Sequence, residues 1–537
     1  MKKILFSTKT LAVAVLPLLI SGCANDDAAQ GNASKQPDTK GMTEFAVVDN
    51  AANAKTASVT RTAGIYTGHS IKFYWTSGDR LWLNNASTLK ESNLSTIPNT
   101  NGKEETAKFY FDGTYTNESY PVRYTGLGNN SGDKVTIKSE QTQQLPNDGS
   151  HIGADGDCGT AIAHRKSDGS YQFMLDHKAS YLTFAPYYST DELASEVTIK
   201  KIRVTANENL AGTYAFNDNG IQTSNVTDAK KSITLSLTGT FNIPTASDYN
   251  KNGAIMVIAP GTYTNFTVEY TLADSRTGVM GTVSKTYASV TFSEGKNTPI
   301  KFNLGMTKYE MKYYMWDAGS HFWNNYSGTL PVADGDAAPF MAPGTDHWFN
   351  KNETNLTAAN SCINCPNANE ATLYAFHGDP HWDGETLWVM NKHLYKGGMW
   401  FKKLQFCEGG PYTSPVEIYP PNGKDYRDNS VWRAWQEEEV EVYHNAWTKS
   451  VHAKTKPADT SKYFYLPAMG YLNNHSSDGQ LRIGAGAGGY AGAYWTSTGL
   501  LLPHGPRAIA LYFSEDAVGL EVDDRYWAYP RFENPTD

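Results

Sequence analysis

The chain has few cysteines, little charge and no basic excess. Its 537 residues include five cysteines, charged residues make up 19%, and the net charge at pH 7 is −9. A partner with a phosphate backbone needs a basic face, so this charge argues against nucleic-acid binding. Beyond the N-terminus no hydrophobic run is long enough to span a membrane, so we expect no transmembrane helix later in the chain.

The motifs of several enzyme classes are also missing. There is no Gly-x-Ser-x-Gly elbow and no His-Glu-x-x-His helix, and the glycine-rich run 484–492 lacks the Lys-Ser/Thr of a phosphate loop. Sugar hydrolysis would need two carboxylates held about 5–10 Å apart, which sequence alone cannot establish. The candidates would be Asp383, Glu385, Asp523 and Asp524. We therefore predict a protein without catalytic residues or a cofactor, and a secreted hydrolase is only the third hypothesis.

The N-terminus carries an export signal. Lys2 and Lys3 precede the apolar run 11–20, which is typical of a secretory signal peptide. The run ends in Leu-Ile-Ser-Gly before Cys23, which resembles the bacterial lipobox and implies that Cys23 is acylated and becomes the mature N-terminus. The acidic pair after it resembles signals that send lipoproteins to the outer face of the outer membrane. We assign residues 1–22 to the signal peptide and 23–42 to a flexible linker.

Residues 45–304 show the period-2 alternation of β-strands and almost no helical periodicity. Apolar residues alternate with polar ones in 233–237 and 266–272. In 197–204 the alternation slips at a lysine pair, which indicates a bulge or bend. We expect the ring of Trp75 to be buried and Gly78-Asp79 to form a turn before the strand 81–83. The spacing predicts two β-sandwiches.

A series of short motifs across residues 43–305 resembles the fimbrillins of type V pili. The motifs are Thr60-Arg61-Thr62, FYWTSGDRL at 73–81, AKF at 107–109, FDGT at 111–114, EQTQ at 140–143, HKASYLTF at 177–184 and LAGTYAF at 210–216. The resemblance implies two tandem transthyretin-like β-sandwiches, residues 43–170 and 171–305. It also implies that a trypsin-like protease cleaves after Arg61, and that a strand donated by a neighbouring subunit fills the opened groove. The alternative is that Arg61 is an ordinary solvated strand residue.

The C-terminal part differs in composition, since 11 of the 13 tryptophans lie beyond residue 306. A strand at 463–467 ends in Leu-Pro, and a Gly-Tyr turn, a glycine-rich run and Tyr494-Trp495-Thr-Ser-Thr follow. Strands are predicted at 507–513 and 518–522. The second is predicted to be half-buried, because Val518, Leu520 and Val522 alternate with Gly519, Glu521 and Asp523. This order resembles the terminal half of C-type-lectin-like domains in bacterial adhesins, and implies an α+β lectin-like domain at 306–537. The calcium motifs Glu-Pro-Asn, Gln-Pro-Asp and Trp-Asn-Asp are absent, so no metal is predicted.

Rings beside charged groups near the C-terminus form a candidate ligand face. Such groups could stack on sugars or anchor a protein partner. The alternative for Trp495 and Trp527 is a place in the core. The candidates are Tyr490, Tyr494, Trp495, Asp523, Asp524, Arg525, Tyr526 and Trp527.

Four cysteines remain after lipidation. Cys158 stands alone, while Cys362, Cys365 and Cys407 predict a disulfide in an oxidising compartment, with the pairing open and one of the three left free. The alternative is a zinc site that also uses His377 and His381, although the second Cys-x-x-Cys of a closed zinc module is missing.

One amphipathic helix is predicted at 429–442. Two tryptophans three residues apart would face the core, and a run of glutamates would form its solvated face.

Taken together, these features predict a surface-exposed lipoprotein of the outer membrane and the fimbrium. It would be a tip or minor pilus subunit that mediates cell adhesion through its lectin-like head. Its partners would be other pilus subunits and a host or bacterial surface glycan or protein. The alternative is a non-polymerising, surface-anchored glycan-binding lipoprotein.

Overall fold

The computed structural model describes residues 38–48, 63–100, 102–338, 346–350, 354, 356–412, 418–433, 448–451, 453–473, 479–483, 491–503 and 505–532. The chain divides into two units, residues 1–40 and 41–537, and the elements below belong to the second. The described part is mainly β, which confirms the predicted class. Within it, no helix has both the length and the apolar character needed to cross a membrane.

The elements are listed here in chain order. Residues 42–177 form β1 (Met42–Val47), β2 (Ala63–Tyr66), β3 (Ile71–Tyr74), β4 (Trp82–Asn84), β5 (Leu89–Glu91), β6 (Leu94–Ser95), β7 (Lys108–Asp112), β8 (Ser119–Tyr124), β9 (Lys134–Ile137), β10 (Glu140–Gln143), α1 (Ile152–Asp155), β11 (Gly159–Arg165), β12 (Tyr171–Phe173) and β13 (Asp176–His177). Residues 180–303 form β14 (Ser180–Tyr187), β15 (Val197–Thr205), β16 (Ala211–Asn217), β17 (Gly220–Lys230), β18 (Ser232–Leu237), α2 (Tyr249–Asn252), β19 (Ala254–Ile258), β20 (Gly261–Asp274), β21 (Met280–Phe292) and β22 (Asn297–Asn303).

The remaining elements lie beyond residue 306. They are β23 (Thr307–Tyr309), β24 (Tyr313–Met315), α3 (Ala368–His377), β25 (His381–Met390), β26 (His393–Lys402), α4 (Asn429–Arg433), β27 (Thr448–Ser450), β28 (Tyr463–Pro467), β29 (Tyr471–Asn473), β30 (Gln480–Arg482), β31 (Gly492–Leu502), β32 (Gly505–Phe513), β33 (Ala517–Asp524) and β34 (Ala528–Pro530). Two short 3₁₀ segments span Leu404–Phe406 and Thr460–Lys462.

The first sheet runs in the order β5-β4-β8-β11-β12-β1-β7-β6, with β13 paired to β11. Its apolar side chains enclose an aromatic cluster, here called the first core, that includes Phe45, Trp75 and Phe109. Trp75 is buried as predicted. The predicted turn is present too: Gly78 has φ +92°, and the Asp79 carboxylate accepts the Thr76 N–H at 2.7 Å.

The middle strands build a second, larger core. A five-stranded sheet, β10-β18-β15-β20-β21, faces a three-stranded sheet, β19-β14-β22, and β17-β16-β9 and the hairpin β2-β3 complete it. The pairing of β15 with β20 shifts between Ile199 and Lys201, which confirms the predicted bulge. The side-chain amides of Gln141 and Gln143 bond to the backbone of β19 and satisfy its otherwise unpaired edge.

The C-terminal part contains three four-stranded sheets, β23-β25-β26-β28, β24-β34-β29-β30 and β27-β33-β32-β31. Strands β28, β32 and β33 confirm the three strands predicted there. Helix α3 packs against the sheet of β31 to β33 and begins with a capping box formed by Asn367 and Glu370. The predicted helix 429–442 begins at Asn429 as α4, which is described as far as Arg433. Its tryptophan Trp432 is buried, and residues 434–442 lie outside the described residues.

The C-terminal part is attached to the middle strands through the end of β25 and the start of β26. Leu387, Val389 and Leu394 belong to the second core. At the same contact the buried carboxylate of Asp274 accepts the His393 ring N–H and the Leu394 N–H, both at 2.9 Å. Because they share this core, the C-terminal part and the middle strands are held together. The predicted boundaries after residues 170 and 305 lie within the second unit and stay predictions.

Candidate functional site

Strand β1 is an internal strand of the first sheet. It pairs antiparallel with β7, with Phe45 opposite Phe109, and parallel with β12, with Phe45 opposite Tyr171. The ring of Phe45 is fully buried, and it stacks on Tyr171 with centroids 4.5 Å apart. Removing β1 would therefore leave one edge of β7 and one edge of β12 unpaired. It would also leave an apolar slot, the space that the Phe45 ring fills.

The predicted cleavage residue, Arg61, lies outside the described residues. The elements on either side of it belong to different cores: β1 to the first, and Tyr66 of β2 to the second. Strand β2 has its own anchors, because Gly64 N–H donates to Gly149 O (3.1 Å) and Tyr66 N–H donates to the Asn147 side chain (2.9 Å). A cut between β1 and β2 would thus free β1 without removing an anchor of β2.

Three residues of the predicted ligand face are core residues. Tyr494 is buried and its hydroxyl donates to Pro467 O at 2.6 Å. Trp495 is fully buried, and its Nε1–H donates to Tyr314 O at 2.7 Å. Arg525 is 1% exposed. Tyr494 and Trp495 are out of a ligand's reach because both faces of β31 are buried there, and Arg525 because it is itself buried.

The guanidinium of Arg525 organises the backbone around it. Its carbon lies 4.1 Å from the centre of the Trp316 ring. Its N–H groups donate to the carbonyls of Arg507 (3.0 Å), Asn350 (3.2 Å) and Leu500 (3.5 Å). A buried cation needs such partners, so its contacts are those of a structural residue.

The other members of the predicted face are partly exposed, apart from Tyr490, which lies outside the described residues. Asp524 forms an ion pair with Arg507 (2.5 Å) and accepts the Tyr526 hydroxyl (2.8 Å). Burial, followed by the hydrogen bond to Asp524, raises the pKa of Tyr526 to about 12. Asp523 accepts the Tyr529 hydroxyl (2.8 Å), and Trp527 packs on Tyr471 with ring centres 5.5 Å apart. The partly exposed part of the predicted face is therefore small, and its charged and hydroxyl groups bond to neighbouring side chains.

A cleft of about 510 Å³ lies between the middle strands and the C-terminal part. The turn between β20 and β21 forms one wall, through Thr277 and Val279, and the hairpin of β25 and β26 forms another. Charged side chains of both signs line it. These are Asp334, Glu385, Lys396, Lys454 and Glu515.

The hairpin residues in the cleft are held by buried groups. The Asp383 carboxylate accepts the N–H groups of Glu385 and Thr386, both at 3.0 Å, and so fixes the turn that carries Glu385. Burial alone would raise the pKa of Asp383, but hydrogen bonds from Thr386 and Trp400 outweigh it and lower that pKa. Gly397 has φ +91°, and a Cβ there would lie 3.2 Å from the Trp382 ring, so glycine is required.

The cleft offers both hydrogen-bond donors and acceptors. The side chains of Glu385 and Lys396 are exposed and bond to no described residue. Trp382 is 9% exposed, and its indole N–H likewise has no described acceptor, so it can present an edge to a ligand. The ammonium of Lys454 is held by Glu515 at 3.0 Å. Acids and lysines nearly balance in number, which suits a neutral ligand with many hydroxyl groups better than a polyanion.

The four cysteines after Cys23 are buried free thiols in the structure. The ligands of the alternative zinc site do not come together: among the described residues, no group of three or more His, Cys, Asp or Glu side chains could hold a metal ion. Cys407 packs in the cluster beneath α3, whereas Cys362 and Cys365 pack with Trp316 and Trp495. The site of lipidation, Cys23, lies outside the described residues.

Sequence patterns gave no signal for the cleft, because its residues are far apart along the chain. Glu385 was considered only as one of four carboxylates without known positions. The sole local signal is the Gly397-Gly398 pair, whose first member makes room for Trp382.

No family model and no curated protein matches the chain. Solved structures do match. A fimbrial protein from Bacteroides ovatus is 12% identical and covers 86% of this chain and 94% of its own, with a TM-score of 0.24. Candidate cell adhesion proteins from Bacteroides ovatus (11% identity, TM-score 0.30) and Bacteroides uniformis (15%, 0.28) each cover 49% of this chain and 92% and 94% of their own. These values assign no function by themselves.

Proposed function

We propose that this chain is a fimbrial subunit that mediates adhesion at the surface of a bacterium and has no enzymatic activity. It is exported, acylated at Cys23 and carried to the outer face of the outer membrane. Cleavage after Arg61 releases residues 23–61, and a strand from a neighbouring subunit takes the place of β1. Residues 43–170 and 171–305 act as tandem transthyretin-like sandwiches, and residues 306–537 as a lectin-like head.

One observation carries the assembly step: β1 is bonded on both edges yet precedes the predicted cut. Its loss would expose the edges of β7 and β12 together with the slot of Phe45. Main-chain hydrogen bonds to both edges and an apolar side chain in the slot would supply affinity and register for an incoming strand. Because β2 belongs to the second core, we expect the rest of the fold to stay intact after cleavage.

The tip position is supported by the burial and pairing of the last described strand, β34. Strand β34 is buried and pairs with β24 along Tyr313 to Met315, and Phe532 just beyond it is buried as well. A stalk subunit has to donate a strand onward, whereas this one is part of the core of the head. We therefore place the subunit at the tip or among the minor subunits.

The assembly proposal is tested with Arg61→Ala in a strain that builds the fimbriae. The variant should remain in the membrane fraction with its N-terminal piece attached, and immunogold label should leave the fibre ends and stay on the cell body. Arg80→Ala is the matched control, since Arg80 is exposed and lies beyond the cut. Normal labelling of fibres by the Arg61→Ala protein would eliminate the processing step.

A second candidate function follows from the cleft: a surface-anchored, non-polymerising lipoprotein that binds neutral glycans. The exposed Glu385 and Lys396 side chains, which bond to no residue that the structure describes, support it. On an array of neutral and acidic oligosaccharides, with and without a chelator, the double variant Glu385→Gln/Lys396→Gln should lose binding of neutral glycans. The control Glu140→Gln/Lys424→Gln changes exposed charges outside the cleft and should bind normally. Binding to neutral glycans that the cleft variant retains would exclude the cleft.

A further inference from the structure

Cys362 and Cys365 lie on one tight turn. The N–H of Cys365 donates to the carbonyl of Cys362 at 3.0 Å, the i to i+3 bond of a β-turn. The Cα atoms at the two ends of such a turn are less than about 7 Å apart. Disulfides join Cα atoms about 4.4–6.8 Å apart, so the backbone already meets this requirement.

The two side chains also share one environment. Both are buried in the same cluster of the core, next to Trp316 and Trp495. A hydrogen bond with the Cys362 thiol, followed by burial, raises the pKa of Cys365 well above its usual value. The two thiols are therefore neighbours inside the core, out of reach of water.

The other two cysteines have different surroundings. Cys407 donates to the carbonyls of Lys402 (3.6 Å) and Lys403 (3.7 Å) within its own turn. Burial raises its pKa to about 12. Cys158 is buried in the second core. Neither belongs to the cluster around Cys362.

The turn is a junction between three parts of the head. On one side, Asp317 accepts the N–H groups of Asn360 (2.7 Å) and Cys362 (3.3 Å). On the other, Pro366 O accepts the Ser497 N–H of β31 at 3.0 Å. The first residue of α3, Ala368, donates its N–H to the Thr498 hydroxyl at 3.0 Å. A covalent link within the turn would hold all three in register.

We propose that Cys362 and Cys365 form a disulfide in the exported protein, while Cys158 and Cys407 stay reduced. The two thiols lose two protons and two electrons as the S–S bond forms. The electrons and protons pass to a disulfide-bearing oxidant outside the cytoplasm, which is reduced to two thiols. The bond replaces the thiol–thiol hydrogen bond and fixes the turn between Asp317 and α3.

The pairing is tested on the full chain purified from the surface of the bacterium. The protein is denatured in the presence of a chelator, and its free thiols are alkylated without reductant. The masses of its tryptic peptides are then measured. Cys362 and Cys365 fall in one peptide, 352–392, and Cys407 in another, 404–424. We expect peptide 352–392 to be unalkylated and two hydrogen atoms lighter than its dithiol form, while Cys158 and Cys407 carry the label.

Two variants complete the test. In Cys362→Ser, Cys365 should become fully labelled without reductant, whereas Cys407→Ser should leave peptide 352–392 unlabelled. Labelling of both Cys362 and Cys365 in the unreduced parent, as free thiols or chelated zinc ligands would show, overturns the proposal. A cross-linked pair of peptides 352–392 and 404–424 overturns it as well.

Discussion

The rings of Phe45 and Tyr171 stack with their centroids 4.5 Å apart and their planes 7° from parallel. The contact joins β1 to β12, and Phe111 meets Phe45 edge-on at 5.1 Å. Phe45 is thus the side chain through which β1 fills the first core. An incoming strand that replaces β1 would need a large apolar side chain at this position.

Truncation of that ring should destabilise the first core. Phe45→Ala removes a fully buried aromatic side chain, and such changes cost about 3–5 kcal/mol in free energy of unfolding. Urea denaturation of the unlipidated protein, made with Cys23→Ala, measures the loss. Val48→Ala is the control, because Val48 follows β1 but is 40% exposed. Equal stability of the two variants would show that β1 is only loosely held.

Replacement of Arg525 by lysine should destabilise the head. Lysine keeps the charge but cannot reach three carbonyls and stack on Trp316 with one planar group. Each lost hydrogen bond to a charged group costs roughly 1.5–3 kcal/mol. Thermal denaturation followed by tryptophan fluorescence should show a clear fall for Arg525→Lys and almost none for Arg80→Lys, whose ion pair is exposed. Unchanged stability together with lost ligand binding would instead make Arg525 a ligand contact.

The contact between the C-terminal part and the middle strands should weaken in acid through protonation of Asp274. Burial would raise the pKa of Asp274, but hydrogen bonds from His393 and the backbone N–H groups of Leu394 and Arg276 outweigh it and lower that pKa. An unfolded aspartate has a pKa of about 3.9. A carboxyl whose pKa is lower in the folded state contributes stability above the unfolded value, and this is lost as the pH falls through the folded value.

Asp274→Asn should therefore lower the free energy of unfolding by about 1–3 kcal/mol at pH 7. The difference from the parent should shrink as the pH falls below about 4. Urea denaturation at several pH values measures both effects, with the exposed Glu140→Gln as control. A difference that does not depend on pH would show that the ionised Asp274 carboxylate does not contribute to the free energy of unfolding.

Sequence patterns were informative wherever a local rule decides the structure. The slip in alternation at Lys200-Lys201 predicted the bulge of β15, because side chains on one face must keep a period of two. The ends of β28 and β32 were close to prediction. The half-buried character predicted for β33 was wrong: Gly519 and Glu521, which should have faced solvent, are buried, because α3 covers one face of the strand and the core lies behind the other.

The candidate sites were less accessible to sequence reasoning, because burial is decided by distant elements. Arg525 was a candidate ligand contact, and Trp495 was either a ligand contact or a core residue. Tyr314 lies 181 positions before Trp495 and bonds to it, and Trp316 lies 209 positions before Arg525 and packs on it. The helix α3 was missed, although Asn367 and Glu370 have the spacing of a capping box. The cleft brings together Asp334, Glu385 and Glu515, which no local pattern connects.

The N-terminal residue of the chain in purified fimbriae tests strand exchange most directly. Fimbriae are sheared from cells, their subunits are separated under denaturing conditions, and the first peptide of this chain is identified by mass spectrometry. The account predicts that the chain begins at Thr62 and that residues 42–47, the whole of β1, are absent from the fibre. Fibre-bound chains that begin at an acylated Cys23 and retain β1 would contradict it.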